Sequence, residues 1–95
     1  MLPENRIPTH PGEVLREEFL KPLGLTQVAL AGHLGVPVQR INELARGKRG
    51  VTPETAWLLA GAFGTTPDFW INLQTVHDLA ATRPTQEVPQ LARAA

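Results

Sequence analysis

The sequence predicts an all-α fold, a compact domain of five short helices. Its 95 residues suit a single domain, because a chain of this length is too short to enclose two independent cores. Apolar residues recur at intervals of three and four, and no stretch alternates between polar and apolar residues as a strand would. Thr52-Pro53 and Thr66-Pro67 each combine a favoured N-cap residue with proline in the first helical turn, so they mark two helix starts.

The same signals divide the chain into three parts. Residues 1–10 are predicted to be an extended lead-in, because prolines recur in this segment. Residues 11–82 are predicted to hold the helical domain, whose first helix lies within residues 12–22. Residues 83–95 contain two prolines and little periodicity, so we expect a tail that is mobile or is ordered by a partner. The other four helices are predicted to open at Thr26, Pro37, Thr52 and Thr66.

Residues 26–50, TQVALAGHLGVPVQRINELARGKRG, have the pattern of two short helices joined at Gly35 and followed by a basic loop. Ala31 is small where the helices would approach most closely, and Gly35 stands where the chain reverses, which favours the positive φ that glycine adopts cheaply. The second of these helices is predicted over residues 36–46. This pattern is typical of a helix-turn-helix, whose second helix reads DNA. The apolar positions that pack the two helices together are Leu30, Ala31, Leu34, Val36, Ile41 and Leu44.

The side chains that point away from this packing can bond to bases and phosphates. Gln39 and Arg40 carry the planar amide and guanidinium that pair with adenine and guanine edges. Val38 could pack on a thymine methyl group, although an apolar residue there weakens the case for a polar base contact. Glu43 could accept a bond from cytosine or restrain a neighbouring arginine. The predicted base contacts are Val38, Gln39, Arg40 and Glu43, and the predicted phosphate contacts are Thr26, Gln27, Arg46, Lys48 and Arg49.

The formal net charge of the chain is zero, but the charges are unevenly distributed. Residues 40–49 contain four cations against Glu43 alone, whereas residues 51–78 contain three carboxylates and no lysine or arginine. This distribution predicts a positive DNA-facing surface and a negative opposite end. The acidic end could face a basic partner. Glu54 and Asp68 also lie in first helical turns, where a carboxylate stabilises the helix dipole, and we favour that interpretation.

The fifth helix, predicted over residues 67–81, is apolar on more than one face. Phe69, Leu73 and Val76 share one face of this helix. Trp70 lies on another face, and apolar coverage wider than one core needs is typical of a second contact. Trp70 and Leu73 are therefore candidates for a two-fold dimer interface, with the alternative that Trp70 completes the core of the monomer.

Several kinds of function are disfavoured by what the sequence lacks. It has no cysteine, serine or tyrosine, which removes most nucleophiles, disulfides and thiolate metal sites. Its three histidines, His10, His33 and His77, stand far apart in the sequence without a second ligand at metal spacing. We therefore expect no enzyme, no cofactor and no metal. No apolar run is long enough for a membrane span and no signal peptide is indicated, so we expect a cytoplasmic protein.

Three stretches together resemble a known family: HPGEVLREEFLKPLGL at residues 10–25, INELARGKRGVTPETAWLLA at 41–60 and GTTPDFWINLQTVHDL at 64–79. Over residues 9–80 the chain is similar to the HigA-type antitoxins of the Xre-like helix-turn-helix superfamily. The resemblance implies a lambda-repressor-like domain that forms a homodimer and binds operator DNA to repress its own operon. It also implies that the protein neutralises HigB, an mRNA-cleaving RelE-like ribonuclease toxin.

Two other functions remain open at this point. The first is a standalone Xre-like repressor that has no toxin partner. The second is a protein-interaction scaffold in which DNA binding is vestigial, which the zero net charge and Val38 would favour. The basic stretch Arg46–Arg49 argues against the scaffold, because masking a partner protein does not require it.

Overall fold

The computed structural model describes residues 8–92, and this part of the chain forms five helices and no strand. The predicted all-α fold of five helices is confirmed. The first helix, α1, is continuous over three segments, Pro11–Val14, a π-helical stretch Leu15–Leu20, and Lys21–Leu23. The other helices are α2 (Gln27–Leu34), α3 (Val38–Ala45), α4 (Pro53–Phe63) and α5 (Pro67–Ala81). 

The two ends of the chain are described only in part. Residues 1–7 of the predicted lead-in and residues 93–95 of the predicted tail lie outside the described residues. After α5, residues 83–92 form no helix and expose their side chains to solvent. Val88 and Leu91 in this tail make no buried contact with the helical domain, since each is more than four-fifths exposed.

Threonine N-caps start three of the five helices, as predicted. The side-chain oxygen of Thr26 accepts a hydrogen bond from the Ala29 N–H at 3.0 Å. Thr52 and Thr66 accept from the backbone N–H three residues onward in α4 and α5, each at 3.3 Å. Each bond satisfies one of the N–H groups that a helix start leaves without a partner.

The third helix is shorter than predicted at both ends. Gly35 ends α2 with φ of +71°, as expected, and Pro37 then adopts an extended backbone with ψ of 142°. The residue before a proline is restricted from helical dihedrals, so Val36 stays in the turn, and the extended Pro37 is the N-cap of α3. The helix therefore begins at Val38 rather than Val36. At the other end Arg46 is the cap, and the last helical residue is Ala45.

The core lies between all five helices. Leu15 of α1, Leu30 of α2 and Leu59 of α4 are fully buried in it. Ile41 and Leu44 bury the inner face of α3 against these residues, so the predicted helix-turn-helix packing is confirmed. Burial of each such side chain stabilises the folded chain by about 1.5 to 3 kcal/mol, which holds α3 in a fixed orientation.

Trp70 belongs to the core of the monomer rather than to a dimer contact. Its side chain is 0% exposed and lies against the rings of Phe19, Phe63 and Phe69. Its indole Nε1–H donates a hydrogen bond of 2.8 Å to the Thr65 hydroxyl. The side chain has no surface left for a second copy, so of the two alternatives for Trp70 the structure supports the core.

The N-terminal end of α1 packs on the C-terminal end of α3. Gly12 is buried, and a Cβ built on it would overlap the backbone carbonyl of Leu44. One turn later the Arg16 Nε–H donates to the Ala45 carbonyl at 2.9 Å. This bond satisfies a carbonyl that the end of α3 leaves free, and the positive charge suits that end of the helix dipole. α1 therefore fixes one end of α3.

His10 caps α1 through its ring, a role that the sequence did not indicate. Its Nδ1 accepts a hydrogen bond of 2.9 Å from the Gly12 N–H, so that nitrogen carries no proton. The His77 ring packs edge-on against it at 4.8 Å between centroids, and the His77 Nδ1–H donates to the Pro8 carbonyl at 2.8 Å. The fold thus brings together two histidines that are 67 positions apart in the sequence.

We expect His10 to make the fold less stable in mild acid. Burial, and then the neighbouring His77, lower the pKa of His10, while Asp78 opposes them. Below the ordinary histidine pKa of about 6.5 the unfolded chain takes up this proton before the folded chain does, so stability falls until the lowered pKa is passed. His10→Asn, which keeps a capping acceptor that does not titrate, should flatten the loss of stability between about pH 7 and pH 5.

Urea denaturation followed by circular dichroism at several pH values would measure this effect. His33→Asn is the matched control, because His33 is exposed on α2 and should leave the pH profile of the wild-type chain unchanged. An H10N profile as steep as that of the wild type would show that other groups cause the acid sensitivity.

Candidate nucleic-acid interface

The outer face of α3 presents one apolar and one polar side chain near its N-terminal end. Val38 is 44% exposed, and Gln39 beside it is exposed as well. Ile41, Leu44 and Ala45 face the core, which leaves this outer stripe for contact with another molecule. A single exposed face on a rigidly packed helix is the arrangement that major-groove recognition requires.

Glu43 holds two of the other predicted DNA-contact residues. Arg49 donates to Glu43 Oε1 from Nε at 3.0 Å and from Nη2 at 2.8 Å. The Gln39 amide donates to the other carboxylate oxygen of Glu43 at 3.2 Å. These bonds, with Arg49 the larger influence, lower the pKa of Glu43 and keep it charged. Of the two roles considered for Glu43, restraint of a neighbouring arginine is the one present in the free chain.

Arg40 is paired with a carboxylate from the next helix. Its Nη2–H donates to Glu54 Oε1 at 3.1 Å, and the two residues are 14 positions apart. Glu54 therefore lies beside the basic segment, residues 40–49. This corrects the expectation that the chain separates a positive surface from a negative opposite end. This pairing of Glu54 could not be predicted, because no periodicity links α4 to α3.

The start of α2 is bonded to α3 by two side-chain amides. The Asn42 amide donates to Gln27 Oε1 at 3.1 Å, and this leaves the amide nitrogen of Gln27 free to donate. Thr26 uses its hydroxyl oxygen as the N-cap acceptor, so toward a phosphate it can act only as a hydroxyl donor. Asn42 was not among the predicted contacts. Its outward position on α3 was the signal that could have identified it.

The basic loop between α3 and α4 exposes Arg46 and Lys48. Neither forms an ion pair with another described residue, in contrast to Arg40 and Arg49. The loop turns at Gly47, where φ is +73°, and the Lys48 N–H donates to the Glu43 carbonyl at 2.8 Å. The backbone therefore holds both cations just beyond the end of α3.

The far end of this loop is held by Gln74 of α5. The Val51 N–H donates to Gln74 Oε1 at 2.7 Å, and the Gln74 amide donates to Asp78 at 2.8 Å. Gln74 is buried, so both of its polar atoms have partners where water could not replace them. Gln74 was not among the predicted site residues, although its place four residues after Trp70 puts a polar group on the buried face of α5.

A second surface lies on α5, away from α3. Phe69 and Val76 remain partly exposed, and Leu73 lies between them on the same face. Together with Pro8 and Thr9 they line a shallow apolar cleft of about 320 Å³. Leu73, one of the two predicted dimer contacts, is therefore on an accessible surface, whereas Trp70 is not.

Other kinds of site are not found in the part of the chain that the structure describes. Residues 8–92 contain no group of three or more potential metal-ligating side chains. Within that range, no helix is both long enough and apolar enough to cross a membrane.

Comparisons with known proteins agree with this geometry. A family model described as Helix-turn-helix matches residues 17–70. Virulence-associated protein I of Dichelobacter nodosus is 51% identical over 77 residues, which cover 80% of this chain and 71% of that protein. Antitoxin HigA-1 of Vibrio cholerae is 46% identical over 79 residues, 82% of this chain and 73% of that protein. The solved structure of antitoxin GraA in complex with its operator covers 98% of this chain and 100% of that one, with a TM-score of 0.85 and 38% identity.

The fold and the exposed α3 define an Xre-like helix-turn-helix domain. The chain belongs to the HigA/GraA-type antitoxin family of such proteins. This confirms the resemblance seen in the sequence. The family consists of antitoxins and transcriptional regulators, which are not enzymes, and so the expectation of a non-enzymatic protein is confirmed as well.

Proposed function

We propose that this chain is the antitoxin of a HigBA-like toxin-antitoxin module that binds its own operator as a homodimer and represses its operon. The observation that carries the proposal is the exposed α3, with Gln39 and Arg40 on its outer face. Directly after it come two cations, Arg46 and Lys48, that form no ion pair in the part of the chain that the structure describes. A relative of the same family, GraA, has been solved in complex with its operator. The protein would act in the cytoplasm, where the operator lies.

On DNA, α3 of each protomer would enter the major groove, and a dimer would place the two copies about 34 Å apart on a near-palindromic site. Gln39 and Arg40 would bond base edges, and each bidentate pair would contribute about 1 to 3 kcal/mol of discrimination. Val38 would pack on a thymine methyl group. Glu43 would position Arg49 and Gln39 rather than contact a base itself. Thr26, Gln27, Arg46, Lys48 and Arg49 would bond to phosphates, and the charge of Arg49 would stay offset by Glu43.

The α5 face is our candidate for the contact between protomers. Leu73, flanked by Phe69 and Val76, offers a second copy an apolar surface that needs no rearrangement of the core. A two-fold contact places the same patch of both copies face to face, so one apolar cleft is sufficient for both sides. The partner protein would be a HigB-like mRNA-cleaving toxin, to which we assign no contact residues.

The salt dependence of DNA binding tests this function. Arg40 and Arg49 are paired with carboxylates, whereas Arg46 and Lys48 form no ion pair within residues 8–92, so these two are the cations that we expect to neutralise phosphates. A dimer would then neutralise about four phosphates, so log K should fall with log salt at a slope near −4, roughly a hundredfold loss between about 50 and 200 mM salt. Fluorescence anisotropy with the upstream DNA and a scrambled duplex would measure this slope.

Substitutions separate the two kinds of contact. Lys48→Ala should weaken binding to both duplexes alike and reduce the slope by about 0.9 per protomer. Gln39→Ala should weaken binding to the operator and relax one base position while leaving the scrambled duplex almost unchanged. Arg83→Ala, an exposed cation in the tail, is the control and should change neither. Equal or negligible binding of the wild type to both duplexes would instead favour the protein-interaction scaffold.

A further inference from the structure

Two of the four cations in the basic segment are held by carboxylates of the same chain. Arg49 is held from within the segment by Glu43, whereas Arg40 is held by Glu54 from a different helix. The DNA-facing surface therefore carries four positive and two negative charges rather than the excess of cations that the segment alone indicates. A second carboxylate at this surface lowers the affinity for phosphates, so phosphate binding alone does not explain its position.

The pair between Arg40 and Glu54 has a well-defined geometry. The Arg40 side chain is 29% exposed and lies in a cleft that includes Leu34 and Leu58, whereas Glu54 is 70% exposed at the rim. Glu54 is the second residue of α4, where the helix dipole favours a negative charge. The Glu54 carboxylate is thus fixed on α4 at the rim of the cleft, 3.1 Å from the Arg40 guanidinium.

We propose that Glu54 determines specificity by masking the charge of Arg40 against the phosphate backbone. This proposal rests on the proposed function as an operator-binding protein. Binding to a nonspecific duplex is almost entirely electrostatic, so a carboxylate at 3.1 Å from Arg40 cancels most of what that arginine could add.

Base recognition differs, because it uses hydrogen-bond donors rather than net charge. A guanidinium has five N–H groups, and Glu54 is bonded by the Nη2 nitrogen of Arg40. The other donors remain available for the acceptor pair of a guanine edge. Glu54 therefore lowers the affinity for arbitrary DNA more than the affinity for the operator, and it acts as a positioning residue rather than a DNA contact.

Glu54→Gln tests this mechanism, because glutamine keeps the shape and one acceptor oxygen but removes the charge. If Arg40 is freed to neutralise one more phosphate per protomer, affinity for a scrambled duplex at 100 mM salt should rise about eightfold per half-site, with a slope steeper by about 0.9. Affinity for the operator should rise less, so the ratio of the two affinities should fall. Anisotropy titrations with both duplexes at several salt concentrations would measure the ratio and the slope.

Asp68→Asn is the matched control, since Asp68 occupies the equivalent position in the first turn of α5 and changes the net charge by the same amount. It should leave the affinity ratio unchanged. The proposal is overturned if E54Q raises both affinities equally, if it behaves like D68N, or if its effect persists when Arg40 is replaced by glutamine. Circular dichroism would verify that each variant is folded.

Elution from a heparin column separates this proposal from the proposed function. Heparin is a polyanion without bases, so it reports the masking of Arg40 whether or not the chain has an operator. If the wild type binds both duplexes equally, the proposed function is wrong. Later elution of E54Q than of D68N would still support the masking by Glu54, and equal elution would overturn it.

Discussion

Gly12→Ala is expected to destabilise the fold by about 3 kcal/mol, a large part of the stability of a small domain. The methyl group would overlap the backbone carbonyl of Leu44, which cannot move aside as the end of a flexible side chain could. The N-terminal end of α1 would have to separate from α3. The contact of Arg16 with the Ala45 carbonyl, one turn along, would be strained as well. Urea denaturation followed by circular dichroism would measure the change.

Gly61→Ala is the matched control for this experiment. Gly61 lies within α4, is exposed, and a Cβ there would meet no atom within 4 Å. Alanine favours helix over glycine by about 1 kcal/mol, so G61A should be slightly more stable than the wild type. If G12A unfolds at the same urea concentration as the wild type, that result would contradict the close contact between Gly12 of α1 and the Leu44 carbonyl of α3.

Trp70→Ala is expected to cost about 3 to 5 kcal/mol, as the loss of a large buried aromatic side chain does. The substitution would empty the space between Phe19, Phe63 and Phe69 and remove the indole bond to Thr65. Trp57→Ala is the control, because Trp57 is 67% exposed on α4 and its loss should change stability by about 0.5 kcal/mol or less.

The dependence on protein concentration distinguishes a core role for Trp70 from a dimer contact. A core residue lowers the stability of W70A by the same amount at every concentration, because the defect lies within each protomer. A dimer contact would instead weaken association and leave the stability of the dilute chain unchanged. Thermal unfolding of both tryptophan variants at widely spaced concentrations would decide between them.

Local signals in the sequence were sufficient to predict the helices. Thr26, Thr52 and Thr66 all cap helices as predicted, because an N-cap depends only on the backbone three residues onward. Gly35 likewise takes the positive φ that its turn requires. Pro37 was placed inside α3 instead of before it, because proline is compatible with both positions and its neighbours decide between them.

Contacts between distant parts of the chain could not be predicted in the same way. Glu54 and Arg40 carry no periodic signal that relates α4 to α3, and His10 meets His77 only after the chain has folded. The sequence predicted which side chains face outward from α3, but not that Glu43 would already hold Arg49. Which side chains pair with each other depends on where the folded chain places their helices. Residue types and spacing alone do not give those positions.

The hydrogen bond from Val51 to Gln74 has a consequence for communication between the two surfaces. It joins the loop that carries Arg46 and Lys48 to the helix that carries Leu73. The link is the buried side-chain amide of Gln74, whose oxygen and nitrogen are both hydrogen-bonded. We therefore expect the basic loop and the α5 surface of one protomer to move together as one rigid unit. A molecule bound at α5 would alter DNA binding by changing the distance and angle between two such units, or by occupying the space that DNA needs. It would not do so by loosening the loop within one of them.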